Sequence, residues 1–449
     1  MSRNNDIDLS FLQKISDLIS DRSDKDIQKL IEDFHVADIA EVINNLSEIE
    51  AYYLYQLIDE EKSALVLIEI EDDLREHFLS NLSSKEIAKE VIENLESDDA
   101  TDVILELPQQ QKDEVISLIE DDEYASDITD LLSYDEDTAG GLMAKELIKV
   151  NENWSTIQCL KEMRKQASAV KMVHTIYVVD DHNKLTGTLS LKKLLLTNSK
   201  TFIKEIAKKD IISVVVTEDN ASVANVMNKY DLIVVPVVNE ENILVGRITV
   251  DDIIDVVKDE AEKDYQMASG ITDDVESSDS IWQITRARLP WLLIGLFGGL
   301  IGAKVIGFFD IKENIQLAFF IPLIAAMGGN VGVQSAAIVV QGLANESIKI
   351  NTIFSKLTKE LVVALLNGLI CSLIIFGATI VLQYSIQLSI TVSISLFSVI
   401  VFAALFGTFV PLTLEKYKID PALATGPFIT TVNDILGLYI YFLIGQTIL

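Results

Sequence analysis

Cysteine is almost missing from these 449 residues: Cys159 and Cys371 are the only two, one in each half of the chain. A disulfide framework is therefore not expected, and with no CxxC and no clustered histidines neither is a zinc site. Basic residues are also scarce, 36 Lys and Arg against 69 Asp and Glu, for a formal net charge of −33. Such a chain offers no basic surface for nucleic acid and should instead attract cations. No GxxxxGK loop and no catalytic-triad arrangement is found, so no enzyme is expected. The opening MSRNNDIDLS has no apolar core, so no cleaved signal is expected and the front half should fold in the compartment where it is made.

The charge is unevenly spread. From Leu289 onward there are seven acidic and seven basic residues, which leaves 62 acidic against 29 basic ones in the first 288. The chain joins a very acidic front to an apolar, neutral back, and its length suggests several domains.

Residues 1 to about 130 nearly lack proline and glycine. DIAEVINNL (38–46), EIAKEVIENL (86–95) and DATDVILEL (99–107) place apolar residues at spacings of three and four. That pattern predicts short stacked helices with acidic outer faces. After TAGGLM (138–143) come two similar blocks, HTIYVVDDHNKLTGTLSLKKLL (174–195) and LIVVPVVNEENILVGRITVDDII (232–254). Val179 matches Val238 and Gly187 matches Gly246, both at an offset of 59. Each block reads as strand, polar turn, glycine, strand, helix, and the two together resemble a tandem cystathionine-β-synthase (CBS) pair. A helix over roughly Asp251 to Met267 follows, with Asp252, Asp255, Asp259 and Glu262 on one face. That face is either simply solvated or senses cations, since like charges at this spacing cost a helix about 0.2–0.5 kcal/mol per pair.

Five apolar segments can each span about 30 Å of hydrocarbon: roughly 289–309, 316–342, 361–382, 388–412 and 421–448. Arg286 and Arg288 precede the first. Lys349, Lys356 and Lys359 lie between the second and third, and Lys416 and Lys418 between the fourth and fifth. The other two connections hold one lysine between them. The positive-inside rule then puts the acidic front in the cytoplasm and the C-terminus outside. Pro322 and MGGNVGVQS (327–335) suggest irregular backbone in the second span, tolerated where it lines a cavity or is buried in protein. Small residues there would equally serve close helix packing. The fourth segment is expected to end near Pro411. In GPFITTVNDILGLYIYF (426–442), Asp434 lies fourteen residues beyond Asp420, about 21 Å along a helix. A carboxylate that deep costs at least ~2.5 kcal/mol and marks an ion path or an ion pair. The candidate pair is Lys304, read as the only other deep charge. The oxygen-only donor set of carboxylate, amide, hydroxyl and carbonyl suits a hard divalent cation.

These motifs converge on one family. YDEDTAGGLM (134–143), GGNVGVQS (328–335) and DPALATGPFITTVNDILG (420–437), in this domain order, resemble the MgtE family of magnesium channels along nearly the whole chain. The expected architecture is a multidomain membrane protein with an all-α acidic N-domain (1–135) and two α/β CBS units (136–200 and 201–258). A connecting plug helix (259–285) and a five-helix transmembrane domain (286–449) complete it. The resemblance implies a homodimer in the cell membrane with a pore between protomers, importing Mg²⁺ and closed by Mg²⁺ bound to its cytosolic domains. By motif match, Asp434 corresponds to the pore carboxylate, Gly328 and Asn330 to a pore-lining break, and Asp420 to a membrane-side acid that bridges to the plug helix. Sensor positions would be Asp98, Asp102, Asp231, Asp252, Asp255, Asp259, Glu260 and Asp264. Lys263 stands where an acid is expected. The family also implies ATP in the CBS pair, with Tyr177 at the adenine contact, but Lys193 replaces an expected Asp after the second strand. The alternative is a proton- or sodium-coupled cation carrier, disfavoured because no second buried carboxylate is evident.

Overall fold

The computed structural model describes residues 7–167, 170–272, 275, 279–309, 315–344, 353–424 and 426–449. It divides into two compact units, Met1–Lys258 and Asp259–Leu449. The lysines Lys312 and Lys349, counted above in the charge asymmetry, lie outside the described residues.

The first unit opens with helices α1 (Leu9–Ser20), α2 (Asp24–Ile31), α3 (Val36–Asn44), α4 (Glu48–Tyr55), α5 (Glu60–Glu69) and α6 (Asp72–Asn81). After these come α7 (Ser84–Glu86, prolonged by single π and 3-10 turns), α8 (Ser97–Glu106), α9 (Gln109–Leu118) and α10 (Asp122–Leu131). Their starts explain part of the acidic composition. The carboxylates of Asp8, Asp59 and Asp121 accept from backbone N–H groups at helix N-termini, and capping boxes join Ser47 to Glu50 and Ser83 to Glu86. Such caps satisfy donors that a helix leaves orphaned, at about 1 kcal/mol each. The predicted periodicity places Ile39, Ile43, Ile87, Val91, Val103 and Ile104 in one continuous core.

Two three-stranded sheets follow. The first contains β1 (Ile148–Asn151), β2 (Ile176–Val179) and β3 (Leu185–Leu189), with α11 (Thr156–Gln166) crossing from β1 to the parallel β2. Two short helices, α12 (Leu191–Leu196) and α13 (Ile203–Ile206), lead to the second sheet, β4 (Val214–Val215), β5 (Val234–Val238) and β6 (Leu244–Thr249), with α14 (Asn220–Lys229) as its crossover. The offset of 59 seen in the sequence is a structural symmetry. Leu185 N–H donates to the Asn242 carbonyl at 3.0 Å, and Leu244 N–H donates to the Asn183 carbonyl at 3.1 Å. Asn183 and Asn242 hold φ of 61° and 64°, the left-handed region in which asparagine is enriched. The matched glycines allow close approach: a Cβ on Gly187 would meet Ala207, and one on Gly246 would meet Met143.

Helix α15 (Val250–Ala268) is continuous across the boundary between the units. Five apolar helices lie beyond it: α16 (Ile281–Phe308), α17 (Ile321–Ala344, preceded by a 3-10 turn from Ile315), α18 (Ile353–Val381), α19 (Ile386–Lys416) and α20 (Pro427–Ile448). Each is long and apolar enough to cross a membrane. Three expectations are corrected. First, α17 runs unbroken through Gly328–Gly332. The glycines there are packing surfaces, since a Cβ on Gly332 would collide with Asn433, and one on Gly407 with the Gly332 carbonyl. Second, α19 passes through Pro411 to Lys416. Third, the last span starts at Pro427, because Gly426 holds φ of 56° and Pro427 then fits the first helical turn. Asp434 is thus seven residues inside its helix, about 10 Å along the axis, and not 21 Å.

Candidate ion pathway and carboxylate clusters

Asp434 projects from α20 into an open cleft of about 1160 Å³ within the second unit. Its walls are the glycine face of α16 (Gly295, Gly298, Gly299, Gly302), Thr430 and Thr431 of α20, and Ala325 of α17; Arg288 and Trp291 also line it. The carboxylate is half-buried, and no hydrogen bond or ion pair joins it to any described residue. Lys304 does not neutralise it. That lysine is exposed one turn from the end of α16, and no ion pair between the two is found. Gly328 and Asn330 are not among the cleft's lining residues. Gly328 is buried against Val399 and the Asn433 carbonyl, whereas Asn330 is exposed with Gln334 one turn on.

The end of α15 reaches this cleft. Ala268, Ser269, Gly270 and Ile271 line it, and a Cβ at Gly426 would strike the Ala268 carbonyl. One turn earlier, loss of water raises the Asp264 carboxyl above the ordinary range, and the nearby Asp420 and Glu260 raise it further. Lys263 opposes the shift and lies 3.9 Å from Glu260. Asp420 itself is exposed and accepts from the Ala422 N–H at 2.8 Å. The structure therefore groups Glu260, Asp264 and Asp420, with Lys263 as a partial counter-charge.

A second group forms in the first unit, where α8 meets the start of α15. The Asp98 carboxyl is pushed well above its ordinary range by loss of water, then by Asp99 and Asp252. Desolvation lifts Asp99 to about 6, with Asp252, Glu96 and Asp251 adding to it and Lys171 opposing. Asp102 rises to about 7 through desolvation, then Asp99 and Glu136. Asp252 is raised by burial although Thr249 donates to it from both its N–H (3.0 Å) and its hydroxyl (2.7 Å). Fixed contacts hold this joint: Arg247 to Glu96 at 2.9 Å, the Ser97 hydroxyl to Glu146 at 2.8 Å, and Lys145 to Asp130 at 2.5 Å.

Not every expected sensor joins a cluster. Asp231 sits exposed in a left-handed turn with φ of 51°, and Asp255 and Asp259 are exposed on α15. Asp99, Asp251, Glu96 and Glu146 were missed. The run ESDDATD carried Asp99 in plain view, but Glu146 reaches the joint only through the fold. Among the described residues, no group of three or more carboxylates converges on a single point as direct metal ligands would.

Tyr177, the expected adenine contact, lies inside the α/β pair. Its ring is 1% exposed, packed with Val179, Leu185, Val238 and Leu244 at the junction of the two sheets. Its hydroxyl has no hydrogen-bond partner, and the space beside it is only about 10 Å³, room for about one water.

A carboxylate facing an open cleft within a bundle of apolar spans, in a chain that also carries an acidic helical domain and an α/β pair, defines the class: a membrane protein that handles cations. Comparisons with known proteins make it specific. A family model described as a divalent cation transporter matches residues 321–444, a model of the family's intracellular N domain matches 34–137, and CBS models match 139–197 and 203–259. The chain is 31% identical to the magnesium transporter MgtE of Bacillus subtilis over 95% of this chain and 94% of that protein. It is 34% identical to the protein of the same name from Thermus thermophilus over 72% of this chain and 73% of that one. It also resembles the crystal structure of the cytosolic domain of the Mg²⁺ channel MgtE in complex with ATP. That match has 29% identity and a TM-score of 0.51, covering 55% of this chain and 99% of that one. The chain belongs to the MgtE family of divalent cation transporters.

Proposed function

We propose that this protein imports Mg²⁺ across the cell membrane through a path lined by Asp434, as a homodimer whose acidic cytosolic domains close the path when they bind Mg²⁺. The observation that carries the reading is Asp434 itself, half-buried in the cleft with no protein partner among the described residues. An intramembrane carboxylate left unpaired needs a neutralising cation. Thr430 and Thr431 offer hydroxyl oxygens beside it, and Mg²⁺ is typically held by one or two carboxylates with several waters retained. Hydroxyls and a carboxylate around a wide cleft suit such a hydrated ion.

The donor set of both cytosolic clusters is carboxylate, which fits a hard cation. Bound there, Mg²⁺ supplies positive charge between groups that otherwise repel. Without it, Asp98, Asp99 and Asp252 push α8 from the start of α15, and Asp264 and Asp420 repel at its far end. Neutralising both ends draws α15 down onto the start of α20, where Ala268 already touches Gly426. Because the carboxylates do not converge, the ion bridges them through its retained waters. ATP enters no step of this reading.

Glu360 supports the coupled-carrier reading more than the sequence suggested. It is a second half-buried carboxylate within the apolar helices, accepting from the Ser335 hydroxyl at 2.7 Å. Single-channel currents in a planar bilayer separate the two readings. Discrete openings at rates far above a carrier's turnover support the channel, whereas their absence together with a proton or sodium flux tied to Mg²⁺ entry contradicts it.

A further inference from the structure

The spans hold a second polar cavity, on other helices than the one that bears Asp434. It encloses about 240 Å³ between α17, α18 and α19. Its polar lining is Gln334, Ser335, Lys356, Lys359, Glu360, Asn367 and Thr408, and its apolar lining includes Ile338, Val363 and Ile400. Thr408 puts an unsatisfied polar group in the cavity wall. Elsewhere in α19, Thr391, Ser393, Ser398 and Thr413 turn their hydroxyls back onto the carbonyl four residues earlier, and the Ser395 hydroxyl, buried away from the cavity, is also unbonded. Thr408 is 1% exposed, lines the cavity, and has a hydroxyl with no partner. A buried hydroxyl left unbonded calls for an occupant that bonds it.

Charge and position say which occupant. Lys356 and Lys359 lie in the first two turns of α18, just before its apolar stretch, so their ammonium groups sit at a membrane edge. Neither forms an ion pair with a described residue. Glu360 already accepts from Ser335, which leaves the cavity a net charge of +1. Gln334 and Thr408 lie level with the lysines, and Val363, Ala404 and Ile400 line the deeper end together with Asn367. A diacyl phospholipid likewise sets a charged phosphate at the membrane edge with hydrocarbon beneath it.

We propose that this cavity binds one anionic phospholipid of the phosphatidylglycerol type. The phosphate pairs with Lys356 and Lys359, the headgroup hydroxyls donate to Glu360, and the ester carbonyls accept from Thr408, Asn367 and Gln334. One acyl chain lies along Val363, Ala404 and Ile400. A net charge of +1 favours a headgroup of charge −1 over a zwitterionic one, and Glu360 favours a headgroup that carries hydrogen-bond donors.

The test uses the full chain, delipidated in neutral detergent. Bound lipid is counted by native mass spectrometry against added phosphatidylglycerol, phosphatidylcholine and phosphatidylethanolamine of identical chains, and against soluble glycerol 3-phosphate. The expected result is saturable binding of phosphatidylglycerol with the others at least about tenfold weaker, about 1.4 kcal/mol. The double variant Lys356→Gln, Lys359→Gln removes that preference. Glu360→Gln tightens phosphatidylglycerol, because it removes a like charge while keeping an acceptor for Ser335. Thr408→Val, nearly isosteric and harmless to the lysines, weakens all phospholipids without changing their order. Equal binding of phosphatidylglycerol and phosphatidylcholine overturns the proposal, as does a preference that survives loss of both lysines. Phosphatidylethanolamine binding best overturns the charge argument, and glycerol 3-phosphate binding as tightly as the lipid makes this a site for a soluble anion instead.

Discussion

Replacing Asp99 by asparagine removes one charge from the joint between α8 and α15 while leaving its shape unchanged. Burial and its acidic neighbours lift this carboxyl from 3.8 to about 6. A folded-state pKa above the unfolded value means that the closed joint holds more protons than the open one. Its stability is therefore full below about pH 4 and is lost as pH rises through 6. Roughly two units at 1.36 kcal/mol each set an upper bound of about 3 kcal/mol, and the partial exposure of Asp99 reduces this to about 1–2 kcal/mol. In wild type without divalent cations, protease cleavage and amide exchange at α8 and the start of α15 should rise about tenfold between pH 5 and pH 8. Millimolar Mg²⁺ at pH 8 should restore protection. Asp99→Asn should be protected at pH 8 without Mg²⁺ by that same 1–2 kcal/mol and should gain less from the ion. Equal exchange in the variant and wild type at pH 8 without Mg²⁺ would refute the idea that mutual carboxylate repulsion opens this joint.

Three further outcomes are expected. Lys263→Glu removes the cation that opposes the raised Asp264 carboxyl, so Mg²⁺ should protect the end of α15 at lower concentration than in wild type; an unchanged midpoint would remove that cluster from the sensor. Gly332→Val drives a side chain into Asn433 and Ile429 and should cost about 1–3 kcal/mol by overpacking, read as a lower unfolding temperature in detergent. Tyr177→Phe deletes a buried hydroxyl that has no partner, so the thermal stability of the soluble part should stay level or rise by about 1 kcal/mol; a clear loss would reveal a hydrogen bond made through a bound water.

The sequence showed the domain order well because each layer has its own period. Threes and fours mark the N-domain, strand–glycine–strand blocks the sheets, and uninterrupted apolar stretches the spans. Local chemistry was harder to read. The glycines of MGGNVGVQS promised broken backbone, since Gly disfavours a helix by only about 1 kcal/mol against Ala. Packing outweighs that small cost: Gly332 and Gly407 bring α17 and α19 together, and the helix stays whole. Helix ends were placed by apolar content, so the lysines and arginines that extend α16 and α18 past the apolar stretch were read as connections. The same habit hid Glu360, which reads as a loop acid until α18 is seen to begin at Ile353. Of the acids of the first unit, Asp98, Asp102 and Asp252 come together, whereas Asp231 does not, because which carboxylates share a site depends on how α8 packs against the start of α15.

The central claim is that Asp434 carries Mg²⁺ through the membrane, and ion flux tests it most directly. Proteoliposomes containing wild type, Asp434→Asn or Asp434→Ala, with Mg²⁺ varied separately on the two sides, report uptake through a trapped dye. We predict that wild type conducts when the side facing the soluble domains is low in Mg²⁺, and that both variants lose at least about 90% of the flux, a tenfold fall equivalent to 1.4 kcal/mol, while folding and assembling normally. Wild-type flux in a well-folded Asp434→Ala protein would contradict the account.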